Sequence, residues 1–167
     1  MANLVEHRKM KDQFMAHGEH SPLTLEQREN FEGLKYFEED ASLRLEIAIE
    51  PFEEQEKVQM QTSTGDVQTY TRYGRFRFEV QGEEAELTIF ASQHGYFLPF
   101  VDSQAGSETY GAGRYLDPPQ LPDGKFLIDF NDAYNPYCAY NEMWSCPLPP
   151  LENKVSVAVK AGEKNFN

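Results

Sequence analysis

Hydrophobic and polar residues alternate along much of the chain after residue 40, which is the pattern of strands that bury one face. The first such run places Leu43, Leu45, Ile47 and Ile49 between polar or small residues. Further strands are predicted at 57–62, 67–73, 76–80, 87–89, 96–101, 108–116, 125–130 and 154–160. They follow one another at a spacing of about 8–12 residues with no long helix between them, so antiparallel strands are expected rather than a parallel sheet.

The first 40 residues carry a helical pattern instead. Apolar residues recur at helical period over residues 2–17, and Gly18 ends the pattern. Thr24 and Gln27 form a capping-box pair that predicts a short helix over residues 25–31. Because the helices come before the strands, the expected fold class is α+β, mainly β. It is an antiparallel, barrel-like or strongly bent sheet with the N-terminal helices packed on it.

Length and charge limit the organisation and the partners. The 167 residues (19.2 kDa) suit one domain over 1–167, with a helical N-terminal segment at 1–38. The rest, 41–167, is expected to be an antiparallel β core with an irregular loop at 131–153. With 15 Lys and Arg against 28 Asp and Glu, the formal net charge is −13. Nucleic acid and an anionic membrane are therefore not expected partners, because both repel such a chain.

The sequence shows no segment that predicts secretion or a membrane span. Its longest apolar stretch, at 96–101, is far shorter than the roughly 20 residues that cross a bilayer. A soluble, cytoplasmic protein is therefore expected. In that reducing compartment Cys138 and Cys146 would be free thiols, although a disulfide between them would close a short loop.

No motif for a cofactor or metal is found. The sequence lacks a phosphate-binding loop and a nucleophile elbow, and Gly111-Ala112-Gly113 has neither the third glycine nor the helix of a dinucleotide site. His17 and His20 stand three residues apart, but Gly18 breaks the helix that would bring them together. The two cysteines lack the spacing of zinc ligands. We therefore expect no cofactor and no metal.

The most informative segment for function is the irregular stretch from Asp129 to Asn153. Its aromatic residues are interleaved with asparagine and proline, and the prolines fix φ and lack an N–H donor, so it cannot form a simple strand. Long irregular loops in small domains are commonly functional or specially fastened. In the structural interpretation, the aromatic residues fill one end of the sheet and Asp129, Asn131 and Asn135 tie the loop down.

In the functional interpretation, the loop forms a small-molecule pocket. Its candidate ligand-binding residues lie on or near this loop and are Arg114, Tyr115, Asp129, Asn131, Tyr134 and Asn135. Aromatic walls with a few polar groups are typical of such a pocket. Arg114 would hold an anionic or carbonyl group of the ligand, or would alternatively form a salt bridge with Asp129.

Two other classes of function compete with binding. A hydrolase-like enzyme would use Asp129 or Cys138 with help from Arg114, and a nucleophile with its base can be assembled from Cys138, His94 and Asp129. A protein interaction module would use an exposed sheet edge or the acidic surface. The sequence identifies no catalytic residue and does not determine the ligand or the oligomeric state.

Several long motifs match a known family almost from end to end. They are Ser21-Pro22-Leu23, Phe31-Glu32-Gly33-Leu34-Lys35-Tyr36-Phe37, 109–117, 129–136 with Cys138-Ala139-Tyr140, 146–153 and Ala161-Gly162-Glu163-Lys164. On these residues the chain resembles the domain of unknown function 1684 family (DUF1684), mostly prokaryotic proteins without an established activity. One departure is Ser103-Gln104 before Gly106, where the family pattern has Thr. The resemblance implies no catalytic residues, but it includes the same irregular loop.

Overall fold

Two α-helices precede eight β-strands within residues 4–166, which the computed structural model describes. The helices are α1 (Leu4–His17) and α2 (Leu25–Glu29). The strands are β1 (Arg44–Ile47), β2 (Glu50–Pro51), β3 (Lys57–Gln61), β4 (Val67–Val80), β5 (Glu83–Ser92), β6 (Gly95–Phe100), β7 (Arg114–Leu116) and β8 (Phe126–Asp129). Short 3₁₀ helices follow at 130–132, 137–139 and 151–153. The prediction of a mainly β, antiparallel fold with helices at its start is confirmed.

The strands form two antiparallel sheets. In the larger sheet the order is β2-β4-β5-β6-β7, with β3 also paired to β4. β1 and β8 form the smaller one, where Arg44 pairs with Asp129. Gln81 and Gly82 both have positive φ and form the two-residue turn between β4 and β5. The pairings between the described strands form no closed barrel, so the barrel-like part of the prediction is not confirmed.

The alternation of apolar residues places the main core between the two sheets. Phe76 and Phe78 of β4 are buried together with Leu87 and Ile89 of β5. Ile128 of β8 lies in the same cluster, so the small sheet covers the inner face of the large one. In β4 and β8 the buried residues alternate with less buried ones around Phe76, Phe78 and Ile128, as their sequences predict, whereas all three residues of β7 are buried.

The helical segment is attached through one buried residue and several polar contacts. Met15 of α1 is fully buried against Leu23 and Tyr140. Thr24 forms the predicted capping box with Gln27. The predicted first helix begins at residue 2, outside the described residues, and the second ends two residues earlier than predicted. Neither α-helix within residues 4–166 is long and apolar enough to cross a membrane.

Two predicted strands differ from the structure. Residues 108–113 form turns, and only β7 remains of the predicted strand at 108–116. The predicted strand at 154–160 is absent, although Val157 and Val159 are buried as their alternation indicates. The carbonyl of Val159 accepts a hydrogen bond from the Arg114 side chain instead of from a neighbouring strand. The segment therefore buries its two valines without forming a strand of either sheet.

Candidate functional site

A cavity of about 550 Å³ lies between α1 and the ends of β7 and β8, and we call it the α1 cavity. α1 contributes the basic residues His7, Arg8 and Lys11 to its lining. The apolar part of the lining consists of Leu4, Met10, Phe14, Leu116, Pro118, Pro119, Leu127 and Ala133. The cavity thus joins an apolar wall to a group of polar side chains, which is the usual composition of a small-molecule site.

A buried carboxylate, Glu163, lies against this cavity. It is only 2% exposed and forms an ion pair with Lys11 and a hydrogen bond with the Tyr140 hydroxyl. The backbone N–H of Asn135 also donates to it over 3.5 Å. Burial, followed by the charge of Glu163, raises the pKa of Tyr140, so that hydroxyl stays protonated and donates. Lys11 connects α1 to the C-terminal segment through this carboxylate.

Arg8 and Tyr36 form a second polar group beside the cavity. The guanidinium carbon of Arg8 lies 4.4 Å from the centroid of the Tyr36 ring. Its Nη1 donates to the carbonyl of Phe37 over 3.0 Å and its Nη2 to that of Asn131 over 3.4 Å. Arg8 Nε and the Tyr36 hydroxyl are buried and have no hydrogen-bond partner within residues 4–166. Burial raises the pKa of Tyr36, and nearby Glu163 adds to this, so both unpartnered groups are donors.

Asp129 and Asn131, two of the predicted site residues, also line the α1 cavity. The Asp129 carboxylate accepts from Arg44 Nε over 2.9 Å and from the backbone and side-chain nitrogens of Asn131. The Asn131 side chain in turn exchanges two hydrogen bonds with the backbone of Asp40. These contacts hold the 3₁₀ helix at 130–132 in place. Both residues therefore have a structural role as well as a position in the lining.

Asp132 is the third acidic residue in this part of the cavity lining. Asp132 is exposed overall, but partial desolvation of its carboxyl raises its pKa, and the charge of neighbouring Asp129 raises it further. The positive charges of His7, Arg44 and Arg8 act in the opposite direction. A carboxyl group with a raised pKa beside another carboxylate occurs in acid–base catalytic sites and also in structural clusters of charged residues.

Arg114, the predicted anion-binding residue, lies behind the cavities rather than in them. It is 1% exposed, and its guanidinium donates to the carbonyls of Ala161, Val159 and Glu163 over 2.5, 2.8 and 3.1 Å. Burial lowers its pKa to about 10, so it is still charged at neutral pH. The predicted alternative of a salt bridge with Asp129 is wrong, because Arg114 pairs with Asp102 and Asp129 with Arg44.

Asn135, another predicted site residue, is likewise buried and bound to the C-terminal segment. It is 1% exposed, and its side-chain nitrogen donates to the carbonyl of Lys164 over 2.9 Å. Its side-chain oxygen is buried without a hydrogen-bond partner among the described residues. It lines neither the α1 cavity nor the cavity described next.

A second cavity of about 450 Å³ lies on the other side of Tyr134, and we call it the aromatic cavity. Its rings come from β4, β6, β7 and the loop, and are Tyr70, Tyr96, Phe97, Tyr115, Tyr134 and Tyr137. Tyr134 and Asp117 line both cavities, and the Tyr134 hydroxyl donates to Asp117 over 2.5 Å. The structure therefore divides the six predicted residues. Asp129, Asn131 and Tyr134 line the first cavity, and Tyr115 and Tyr134 line the second.

The two cysteines are buried free thiols in contact with each other. The backbone N–H of Cys138 donates to Cys146 Sγ over 3.4 Å, and the Tyr110 hydroxyl donates to Cys138 Sγ over 3.8 Å. A hydrogen bond from the Cys146 thiol lowers the pKa of Cys138 to about 6. Cys146 lines the aromatic cavity together with His94. The predicted group of Cys138, His94 and Asp129 is not formed, because the Asp129 carboxylate lines the α1 cavity and is held by Arg44 and Asn131.

Residues 4–166 contain no group of three His, Cys, Asp or Glu side chains placed to hold a metal ion. His17 is the last residue of α1, and His20 lies in the turn that follows it. The two cysteines contact each other with no further sulfur or histidine ligand beside them.

Four residues of the α1 cavity were not among the predicted site residues: Arg8, Lys11, Tyr36 and Glu163. Arg8 and Lys11 are three residues apart in the predicted helix, which places them on one face, and this spacing was the available signal. Glu163 and Tyr36 belong to motifs that match the family, but neither residue type predicts burial. Only the packing of α1 on the C-terminal segment brings the four together.

Comparison with known proteins identifies the family. The family model described as protein of unknown function (DUF1684) matches residues 29–164. The chain is also similar to the solution NMR structure of an uncharacterized protein from Haloarcula marismortui, with 37% sequence identity and a TM-score of 0.71. That match covers 96% of this chain and 91% of the other. None of the curated proteins compared with the chain matches it. The chain belongs to the DUF1684 family of proteins of unknown function.

Proposed function

We propose that this protein binds a small molecule with a carboxylate or carbonyl group in the α1 cavity. The observation that carries the proposal is the pair of unpartnered donors, Arg8 Nε and the Tyr36 hydroxyl, on adjacent side chains that line the cavity. Buried donors are almost always hydrogen-bonded in folded proteins. An acceptor group of a ligand, reached by a small shift of these side chains, would supply the missing partner.

The rest of the cavity lining indicates the chemical character of the remainder of the ligand. The wall formed by α1, β8 and the Pro118-Pro119 turn is apolar, so most of the ligand's surface would be buried against hydrocarbon. Lys11 is neutralised by Glu163, which leaves Arg8 as the cation available to the polar end of the ligand. A cavity of about 550 Å³ falls within the range of small-molecule sites.

The proposal keeps part of the predicted site and changes its anion-binding residue. Asp129, Asn131 and Tyr134 contribute to the lining, as proposed from the sequence. Arg114 has its donors occupied by three backbone carbonyls, so Arg8 takes the role that the sequence analysis gave to Arg114. The ligand would then lie between α1 and the 3₁₀ helix at 130–132.

A thermal-shift screen with small carboxylic acids and their neutral amides tests this function. Carboxylates that raise the melting temperature of the native protein are expected to lose that effect in Arg8→Met and to weaken in Tyr36→Phe. Arg77→Met is the matched control, because the Arg77 side chain is 62% exposed on β4 and lines neither cavity. If no carboxylate stabilises the native protein, or if Arg8→Met responds like Arg77→Met, the proposal is wrong.

A hydrolase-like activity at the same cavity is the second candidate, and the raised pKa of Asp132 beside Asp129 favours it. Ligands found in the screen would be incubated with the native protein and with Asp132→Asn, and products sought by mass spectrometry. Products formed only by the native protein would support turnover, whereas unchanged ligand in both samples would support binding alone. The interaction-module alternative stays a prediction, and light scattering of the same samples would test for self-association.

A further inference from the structure

The aromatic cavity has a charge pattern of its own. Six aromatic rings line it, and Asp117 is the carboxylate in the lining, whereas no lysine or arginine belongs to it. The polar side chains that accompany Asp117 are Ser92, His94 and Cys146. A cavity with these walls offers a negative charge and the faces of aromatic rings, and it lacks a permanent cation of its own.

The rings form a continuous set around this cavity. Tyr70 stacks on Phe97 with centroids 5.2 Å apart, and Phe97 meets Tyr115 edge to face at 4.8 Å. Tyr115 meets Tyr134 in the same way at 5.8 Å. Tyr115 is fixed by a hydrogen bond from its hydroxyl to the carbonyl of Pro147. The four side chains therefore support one another.

The electrostatic field at the cavity favours a positive charge. Asp117 is exposed and accepts a hydrogen bond from the Tyr134 hydroxyl. Its charge adds to burial in raising the pKa of Tyr70, so its negative potential acts on a second residue of the lining. The formal net charge of −13 acts in the same direction over a longer range.

The fold already pairs aromatic faces with cations at several other places. Arg72 lies over the Phe52 ring at 4.1 Å, and Lys11, which lines the α1 cavity, lies 5.1 Å from the centroid of Tyr134. No side chain of this kind is present in the lining of the aromatic cavity. Lys11 already lies over one of its rings, that of Tyr134, so a ligand cation would cover the other rings.

We infer that the aromatic cavity binds an alkylated ammonium group, with the methyl groups against the aromatic rings and the positive charge near Asp117. A quaternary ammonium ion needs no hydrogen-bond acceptors, and its charge is spread over methyl groups that pack well on ring faces. A primary amine would have to leave water while only one carboxylate here accepts its hydrogen bonds. The cavity volume of about 450 Å³ is ample for a group of this size.

Titration with choline chloride followed by NMR tests this inference, with 3,3-dimethylbutan-1-ol as the uncharged probe of the same shape. Choline is expected to bind at least about tenfold more tightly than the alcohol, because only choline gains the cation–π and carboxylate interactions. Backbone shifts are expected at β6, β7 and Asp117. Equal affinities for choline and the alcohol would mean that the cavity binds apolar groups without selecting a positive charge, which would overturn the inference. The absence of choline binding at millimolar concentration would overturn it as well.

Two variants locate the effect. Asp117→Asn and Tyr70→Leu are each expected to weaken choline binding by about tenfold or more while leaving the weak binding of the alcohol little changed. Glu83→Gln, at the exposed start of β5, is the control for the loss of one negative charge. Unchanged choline affinity in Asp117→Asn would contradict the inference even if Tyr70→Leu failed to fold. Tyr70 lines only this cavity, so failure here leaves the proposed function at the α1 cavity untouched.

Discussion

Arg114 and Asp102 form an ion pair in the interior, with Arg114 Nη2 lying 3.6 Å from Asp102 Oδ2 and both side chains no more than 2% exposed. The Asp102 carboxylate also accepts from the backbone N–H of Val159 over 2.8 Å and from the Thr109 hydroxyl over 3.1 Å. Together the two side chains hydrogen-bond the backbone of the C-terminal segment from Val159 to Glu163. They anchor this segment, which also pairs with the backbone of residues 35–37 through an antiparallel bridge between Tyr36 and Glu163.

Replacing Arg114 by Met is expected to destabilise the protein by about 3–5 kcal/mol, because Asp102 would stay buried without its cation and three carbonyls would lose their donor. Arg114→Lys keeps a charge but not the planar set of donors, so it should recover only part of this loss. Urea unfolding followed by circular dichroism measures both changes. The double variant with Asp102→Asn should be less destabilised than the sum of the single changes, and simple additivity would contradict a coupled pair.

Two tyrosines near Glu163 are expected to respond to loss of the hydroxyl in opposite ways. Tyr140 donates to the buried Glu163 carboxylate, so Tyr140→Phe should cost about 1–3 kcal/mol. The buried Tyr36 hydroxyl has no partner among the described residues, so Tyr36→Phe should leave the free energy of unfolding unchanged or raise it slightly. Each serves as the control for the other in the same urea experiment. A marked loss of stability in Tyr36→Phe would show that its hydroxyl is satisfied in the free protein.

The strands that alternate clearly could be predicted from the sequence because burial on one face is a local property. β1, β3 and β6 lie within or close to the predicted ranges, and β4 joins the two strands predicted at 67–73 and 76–80 into one. Val157 and Val159 alternate as well, and they are buried as predicted. Their segment is not a strand: the carbonyl of Val159 accepts from the Arg114 side chain, and the carbonyl of Val157 accepts from the backbone N–H of Ser103, without a continuous ladder. A distant side chain leaves no mark on the local pattern.

The candidate site could be predicted only in part, for a similar reason. The irregular loop does line both cavities, through Tyr134 and its neighbours. The sequence suggests Arg114 as the anion-binding cation because it lies near this loop, and it gives no such indication for Arg8. In the structure, however, Arg114 is buried beneath the C-terminal segment, whereas Arg8 lines the α1 cavity. The docking of α1 and of the C-terminal segment decides this, and both are contacts between residues far apart in the chain.

The cysteine pair is expected to carry one thiolate at neutral pH. The Cys146 thiol donates a hydrogen bond to Cys138 Sγ. This hydrogen bond lowers the pKa of Cys138 to about 6 and raises the pKa of Cys146. The absorbance at 240 nm should therefore rise, as the pH increases from 5 to 7, by the amount expected for one thiolate per molecule. The second thiol should stay protonated well above pH 9. Removal of either partner, in Cys138→Ala or Cys146→Ala, should move the lower transition to above about pH 8.

Two other results of the thiol titration would contradict this prediction. If the native protein shows no thiolate below pH 8, the two sulfurs do not share a hydrogen bond in solution. A transition near pH 6 that persists in Cys146→Ala would mean that Tyr110, rather than the partner thiol, stabilises the Cys138 thiolate. Alkylation with iodoacetamide over the same pH range, with the modified peptide identified by mass spectrometry, reports which sulfur carries the charge.

Gly162 lies where the C-terminal segment passes closest to the 3₁₀ helix at 130–132, and its substitution tests that contact. It has a φ of +81°, and an added Cβ would lie 2.7 Å from the carbonyl oxygen of Ala133 and 2.8 Å from that of Phe130. Gly65, in the turn between β3 and β4, has a similar φ of +90° but open space around it. Gly65→Ala should therefore cost about 1–2 kcal/mol from the backbone conformation alone. Gly162→Ala should cost about 1–3 kcal/mol more because of the clash. Urea unfolding of the two variants gives the difference directly, and equal losses would mean that the C-terminal segment does not pack this closely on Ala133 in solution.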